Sequence, residues 1–206
     1  MPDRAPPGPE LPHLILASAS PRRRELLARL GIEPGAIIAS DIDETPSPGE
    51  LPRLYAERMA REKALAAARG SHVDGGAGSH VLAGDTVVAV GRRILPKAED
   101  DAQARACLAL LSGRRHRVFS AVALLAPDGT LREGMSETAI RFKRLSDEEI
   151  AAYLATGEWR GKAGGYAIQG SAEGLVAWLQ GSHSGVVGLP LFETRALLRA
   201  AGFPVG

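Results

Sequence analysis

Leu14-Ile15-Leu16-Ala17-Ser18-Ala19-Ser20-Pro21-Arg22-Arg23-Arg24-Glu25-Leu26-Leu27 starts as a short apolar run, passes through small residues and opens a helix. Ser20 suits the N-cap. Pro21 suits the first helical position, because the N–H that proline lacks would be unpaired there. The three arginines that follow break a local rule. A helix N-terminus carries partial positive charge, so each cation in its first turn costs about 0.3–1 kcal/mol at low salt. The position that a capping box would give to Glu or Gln holds Arg23 instead. A bound polyanion resolves the conflict, since backbone N–H groups, helix dipole and guanidinium forks all converge on it. A solvated basic helix start is the plainer alternative. The pattern predicts a strand over 14–17 and a helix over 21–30, stopped by Gly31.

Around this stretch lies an ordinary globular composition. The chain has 206 residues, 45% hydrophobic and 24% charged, with a net charge of +1. That length suits one domain, expected over 13–206 behind a disordered tail at 1–12. The balanced charge lacks the field of a general nucleic-acid binder, and no apolar run approaches the roughly 20 residues of a membrane span. The proline-rich start has no apolar signal core, and one cysteine excludes an internal disulfide. A cytoplasmic setting follows as the expectation. Only four of the 25 cationic residues are lysines (Lys63, Lys97, Lys143 and Lys162), and asparagine is absent. Under such an arginine bias, the remaining lysines become candidates for places that need a compact ammonium.

Two charges stand where charge is expensive. In the helix expected over 51–69, Lys63 shares an arc with Ala56, Met59, Ala60 and Ala67. It needs a partner, or must snorkel its ammonium to water. Asp85 lies in an otherwise apolar strand, Val81 to Val90, which Gly84-Asp85-Thr86 is expected to interrupt. It must meet a cation, a metal or hydrogen-bond donors.

The rest of the chain alternates helices and strands. A short strand at 36–39 leads to the acidic turn 40–44, and a glycine-rich connector spans 70–79. Gly91-Arg92 turns the strand at 81–90 into one at 93–95. A helix over 99–111 places Cys107 on its inner stripe. Long strands at 114–126 and 131–142 meet at a Pro127-Asp128-Gly129-Thr130 turn, which implies a largely antiparallel sheet portion. Ser146 and Glu149 form a capping box for a helix through 154. Gly161 to Gly170 is too glycine-rich for a helix and suggests backbone close to a ligand, with Lys162 and Gln169 as polar heads. Residues 175–179 and 185–187 are expected to form a last hairpin around Gly181, before a helix opened by Pro190. Zinc-ligand spacing, a Walker lysine loop, a strand–helix dinucleotide fingerprint and a Gly-x-Ser-x-Gly elbow are all absent. Any metal is therefore expected to be oxygen-bound, most simply Mg²⁺ or Mn²⁺.

Six segments in order, Leu16 to Arg23, Ala60 to Ala64, Gly84 to Val88, Leu111 to Gly113, Lys162 to Gly170 and Val187 to Pro190, resemble the Maf family. The resemblance implies an elongated mixed α/β fold, its sheet flanked by helices, with two lobes around a deep cleft, similar to inosine triphosphatases. It implies a nucleoside triphosphate pyrophosphatase that cleaves between the α and β phosphates, in the branch preferring dTTP and UTP. Carried over by position, Asp85 is the proton acceptor, and Arg22, Thr86 and Gln169 sort substrates. Ser18, Ser20 and Arg23 belong to the phosphate-binding turn, while Glu44, Lys63 and Lys97 are further cleft residues. A divalent ion would bridge Glu44, Asp85 and phosphate oxygens. The family's usual homodimer is a further expectation. Gly84, Pro96-Lys97-Ala98 and Gly165-Tyr166-Ala167 depart from the usual Ala, Gly-Lys-Pro and Ala-Tyr-Gly, yet leave the charged groups in place. Two rivals remain: a nucleotide-binding regulator of septum formation with little turnover, and an RNA-binding module using Arg114-Arg115-His116-Arg117. That cluster lacks interleaved aromatics and reads as a solvated edge, so no nucleic-acid partner is expected.

Overall fold

The computed structural model describes residues 12–71 and 78–205. Most of the tail expected at 1–12, and the middle of the connector expected at 70–79, lie outside the described residues. Strand β1 (Leu14–Ala17) is buried along its whole length and pairs in parallel with β2 (Ala36–Ile37) and β3 (His80–Val90). A strand walled on both sides and both faces must be apolar throughout, and Leu-Ile-Leu-Ala is. Parallel neighbours need crossovers. Helix α1 (Pro21–Ala28) and helix α2 (Pro52–Ser71) supply them. The chain after α1 turns at Gly31, whose φ of 74° an L side chain rarely adopts.

Beyond β3 the sheet becomes antiparallel. Strand β4 (Arg93–Leu95) folds back on the end of β3. The main order is β2-β1-β3-β5-β6-β7, with β5 at Arg115–Leu125, β6 at Leu131–Phe142 and β7 at Val176–Gln180. This is a seven-stranded mixed sheet flanked by helices. Its antiparallel half is what the long strands around Pro127 to Thr130 require.

Strand β3 is not interrupted at Gly84-Asp85-Thr86. Those residues stay in register with Val122, Ala121 and Ser120 of β5. A Cβ on Gly84 would lie 3.1 Å from the Ala121 carbonyl oxygen, so glycine here admits the neighbouring strand. On one face of the sheet, Ala56, Ala60, Ala64 and Ala67 of α2 pack on Ala83, Ala89, Ala121 and Ala123. Small side chains on both surfaces bring the helix close to the strands. Helix α3 (Asp101–Leu111), capped by Asp100, and helix α4 (Asp147–Ala155), closed by the Ser146–Glu149 capping box, build a second core around Trp159 and Phe142.

The last hairpin does not form. β7 pairs with β6, and residues 183–187 form a short helix, α5 (His183–Val187). The Ser182 hydroxyl accepts the Gly185 N–H at 3.0 Å, a cap that overrides the strand preference of Val186 and Val187. Helix α6 (Leu191–Ala200) follows Pro190 and carries Thr194 and Leu198 inward.

Candidate active site

Every residue singled out as a site candidate lines one cleft of about 730 Å³: Ser18, Ser20, Arg22, Arg23, Glu44, Lys63, Asp85, Thr86, Lys97, Lys162 and Gln169. That volume is ordinary for a small-molecule site. The turn before α1 and Asp85 thus share a single hollow.

The two expensive charges satisfy each other. The Lys63 ammonium, reaching from α2, lies 2.7 Å from Asp85 Oδ1, and both residues are buried. The same ammonium sits 2.9 Å from Glu44 Oε1, while Lys97 holds Glu44 Oε2 at 2.8 Å. Asp85, Lys63, Glu44 and Lys97 therefore form one alternating chain of charge drawn from four separate segments. Burial alone would raise the Glu44 carboxyl, but its ion pairs with Lys97 and Lys63 outweigh this and hold it down at about 2.

The opposite balance holds at the turn. Among the described residues, no carboxylate lies within ion-pair distance of Arg22, Arg23 or Lys162. Burial depresses the Arg22 guanidinium, and neighbouring Arg23 depresses it further. Burial likewise depresses Lys162, with Arg22 adding to the effect. These cations disfavour one another, and an anion between them removes the penalty. Arg22 Nε is buried without a hydrogen-bond partner among the described residues, as a donor awaiting a ligand would be.

The turn is tied differently from the expected cap. Ser20 occupies the N-cap position, but its side chain makes no capping bond. Ser18 does that local work: its hydroxyl accepts the Ser20 N–H at 3.2 Å and Arg23 Nη1 at 3.0 Å. Arg23 Nε also donates to the Gly188 carbonyl at 2.8 Å, which fastens α1 to the end of α5. The Thr86 hydroxyl lies 3.1 Å from that of Ser120 and 3.4 Å from the same Gly188 carbonyl.

The glycine-rich loop forms the far wall. Gly164 and Gly165 both have φ of 70°, and a Cβ on Gly164 would lie 2.8 Å from Val88 Cγ1. Behind the loop, His116 Nε2 and the Tyr166 hydroxyl are 2.9 Å apart in the core. Burial pushes the His116 ring down to about 4 from the usual 6.5, and its Nδ1 has no partner among the described residues. The unfolded chain therefore takes up a proton that the folded chain refuses between those values. Stability is fully present above pH 6.5 and declines as pH falls toward 4. Urea midpoints at pH 7 and pH 4.5 should differ less in His116→Phe than in the wild type. An equal loss in both would remove His116 as the sensing group.

His116 also corrects the expectation of a solvated edge at Arg114 to Arg117. β5 is an interior strand, His116 points into the core, Arg115 stacks 4.8 Å over the Trp178 ring and Arg117 pairs with Glu137 at 2.9 Å. Sequence reasoning missed Glu158 and Tyr166 on the cleft wall. Glu158 follows Gly157 at the close of α4 with no periodic signal. Tyr166 lies inside the Lys162 to Gly170 segment, where the glycines before it, Gly164 and Gly165, hid its burial.

The model for Maf-like proteins matches residues 13–201. The chain belongs to the Maf family. A dTTP/UTP pyrophosphatase of Novosphingobium aromaticivorans is 68% identical over 205 residues, covering 100% of both chains. One from Rhodospirillum rubrum is 62% identical, over 94% of this chain and 90% of that one. Among solved structures, the Staphylococcus aureus Ham1 protein matches with a TM-score of 0.45 at 18% identity, over 63% of this chain and 71% of that one. In this Maf protein, no helix among the described residues is long and apolar enough to cross a membrane.

Proposed function

We propose that this cleft hydrolyses nucleoside triphosphates, dTTP and UTP foremost, between the α and β phosphates, to release a nucleoside monophosphate and diphosphate. One observation carries the reading. A wall of cations that have no carboxylate within ion-pair distance among the described residues (Arg22, Arg23 and Lys162) shares the cleft with a buried carboxylate, Asp85, that is already held by an ammonium. The first feature suits a polyphosphate, the second an activated water. The substrate names of the two relatives supply the base preference.

In this reading the Arg22–Arg23 turn draws in the phosphate chain and stabilises charge as the α–β bridge oxygen departs. Lys63 holds and orients Asp85 through Oδ1, and Asp85 Oδ2 is the oxygen we assign to take the proton from the attacking water. Lys97, the most exposed of the cleft lysines, exchanges Glu44 for a phosphate oxygen when substrate arrives. Thr86 and Gln169 supply polar contacts for substrate choice.

Glu44 and Asp85 supply hard oxygen donors of the kind a divalent ion takes, but Lys63 stands between them and Lys97 holds Glu44 Oε2, so an ion would be held there only as these ammonium groups give way to it. No group of three or more His, Cys, Asp or Glu side chains suited to a metal occurs among the described residues, so phosphate oxygens and water would complete the shell. Held there, Mg²⁺ or Mn²⁺ would supply Lewis-acid stabilisation of phosphate charge. We place the protein in the cytoplasm, where its nucleotide substrates and the free thiol of Cys107 are both accommodated.

Incubation with dTTP or UTP and Mg²⁺ should yield monophosphate and diphosphate in equal amounts. Release of orthophosphate and a nucleoside diphosphate would put the cleavage at the wrong bond and overturn the reading.

A further inference from the structure

A carboxylate without a cation is out of place in a cleft built for a polyanion. Glu158 is one. Among the described residues, no Lys or Arg lies within ion-pair distance of it, yet it lines the same cleft as Arg22 and Gln169. Its position is built rather than incidental. Oε2 accepts the Ser171 N–H at 2.8 Å and the Ser171 hydroxyl at 2.9 Å. Gly170 leaves room for it, since a Cβ there would stand 2.3 Å from Oε2. The carboxylate is thereby held beside Gln169 with Oε2 engaged and Oε1 left as its remaining acceptor.

Phosphate oxygens repel such a group, so the part of the ligand that meets it must donate a hydrogen bond. The cations mark where the phosphates go. Glu158 lines the cleft together with Gln169 on the glycine-loop side, with its Oε2 tied to Ser171. The donors of a nucleotide lie on its base and its ribose, and of these the base alone differs between UTP and CTP.

We infer that Glu158 reads the base, accepting the N3–H of a uracil or thymine ring at Oε1. This rests on the pyrophosphatase reading above and gives its pyrimidine preference a physical source. Uracil and thymine present a donor at N3 flanked by two carbonyl acceptors. Cytosine presents an acceptor at N3 instead. A carboxylate oxygen accepts rather than donates, so cytosine sets lone pair against lone pair. With Oε2 held by Ser171, Glu158 offers one acceptor rather than the pair that would grip two adjacent donors of a purine edge. Gln169, two residues before Ser171, can donate its amide to the flanking carbonyl.

The test is diphosphate release from UTP and from CTP by wild type and Glu158→Gln. Glutamine keeps an oxygen for Ser171 and turns an amide donor toward the base. Its kcat/KM for UTP should fall about tenfold and that for CTP should rise by a similar factor, since one mismatched hydrogen bond to a charged group has about that weight. Gly170→Ala, which must displace the Glu158 carboxylate, should lose UTP turnover without the gain on CTP. Equal losses on both substrates in Glu158→Gln would show that Glu158 only anchors the loop, and would overturn the inference. So would an unchanged ratio of UTP to CTP in both variants. If the wild type releases diphosphate from neither substrate, the pyrophosphatase reading fails. Equilibrium binding of UTP and CTP to wild type and Glu158→Gln then decides the role of Glu158 by the same ratio.

Discussion

Asp85→Asn should lower diphosphate release by about 10²- to 10⁴-fold, the usual contribution of a positioned general base. Nucleotide affinity should stay within a few-fold of wild type. The substitution keeps the shape of the side chain and its place in the β3–β5 ladder opposite Ala121. It removes the charge that accepts a proton. Lys63 is not left alone, because Glu44 Oε1 remains 2.9 Å away. The folded state should therefore survive, and lost activity cannot be ascribed to unfolding. The Arg22–Arg23 wall, which the change does not touch, still holds the phosphates. Single-turnover assays of dTTP cleavage and calorimetric titration with the same nucleotide separate the two quantities. Near-normal turnover would strip Asp85 of the role, and a matching collapse of affinity would make it a binding residue.

Lys63→Met should act on stability as well as on rate. It leaves Asp85, only 4% exposed, without the ammonium at 2.7 Å. Removing one member of a buried ion pair costs about 3–5 kcal/mol, because the survivor keeps its desolvation penalty and loses its compensation. For a domain of this size that corresponds to a fall in Tm of about 6–20 °C. The change also removes the contact that orients the Asp85 carboxylate. Activity should disappear with the stability. The double variant Lys63→Met with Asp85→Asn removes both charges, so it should regain much of the lost stability and none of the activity. Thermal unfolding of the wild type, the two single variants and the double completes the cycle. A Lys63→Met protein within 1 kcal/mol of wild type would mean that water, not Lys63, satisfies Asp85.

Much of this site announces itself residue by residue. An inward-facing lysine and a carboxylate inside an apolar strand each declare an unmet need, because an unpaired charge is expensive wherever the chain buries it. Neither residue says which partner meets that need. Lys63 and Asp85 are 22 positions apart, and only the packing of α2 on β3 brings them together. Glu158 shows the limit more sharply. It sits in a polar stretch where any carboxylate looks solvated, and its tie to Ser171 and its place on the cleft wall appear only in the fold.

The sequence by itself determined what depends on neighbours a few residues away: the β1–α1 turn, the capping box at Ser146, the turn at Pro127 to Thr130, and the arc of α2 that turns Lys63 inward. Periodicity and capping act over one or two turns of chain, so they can be read in a line. Tertiary structure alone decided the Asp85–Lys63–Glu44–Lys97 chain of charge and the Arg23–Gly188 bond that fastens the turn. Each of those outcomes joins groups distant in the chain, and which groups meet is set by how helices and sheet pack.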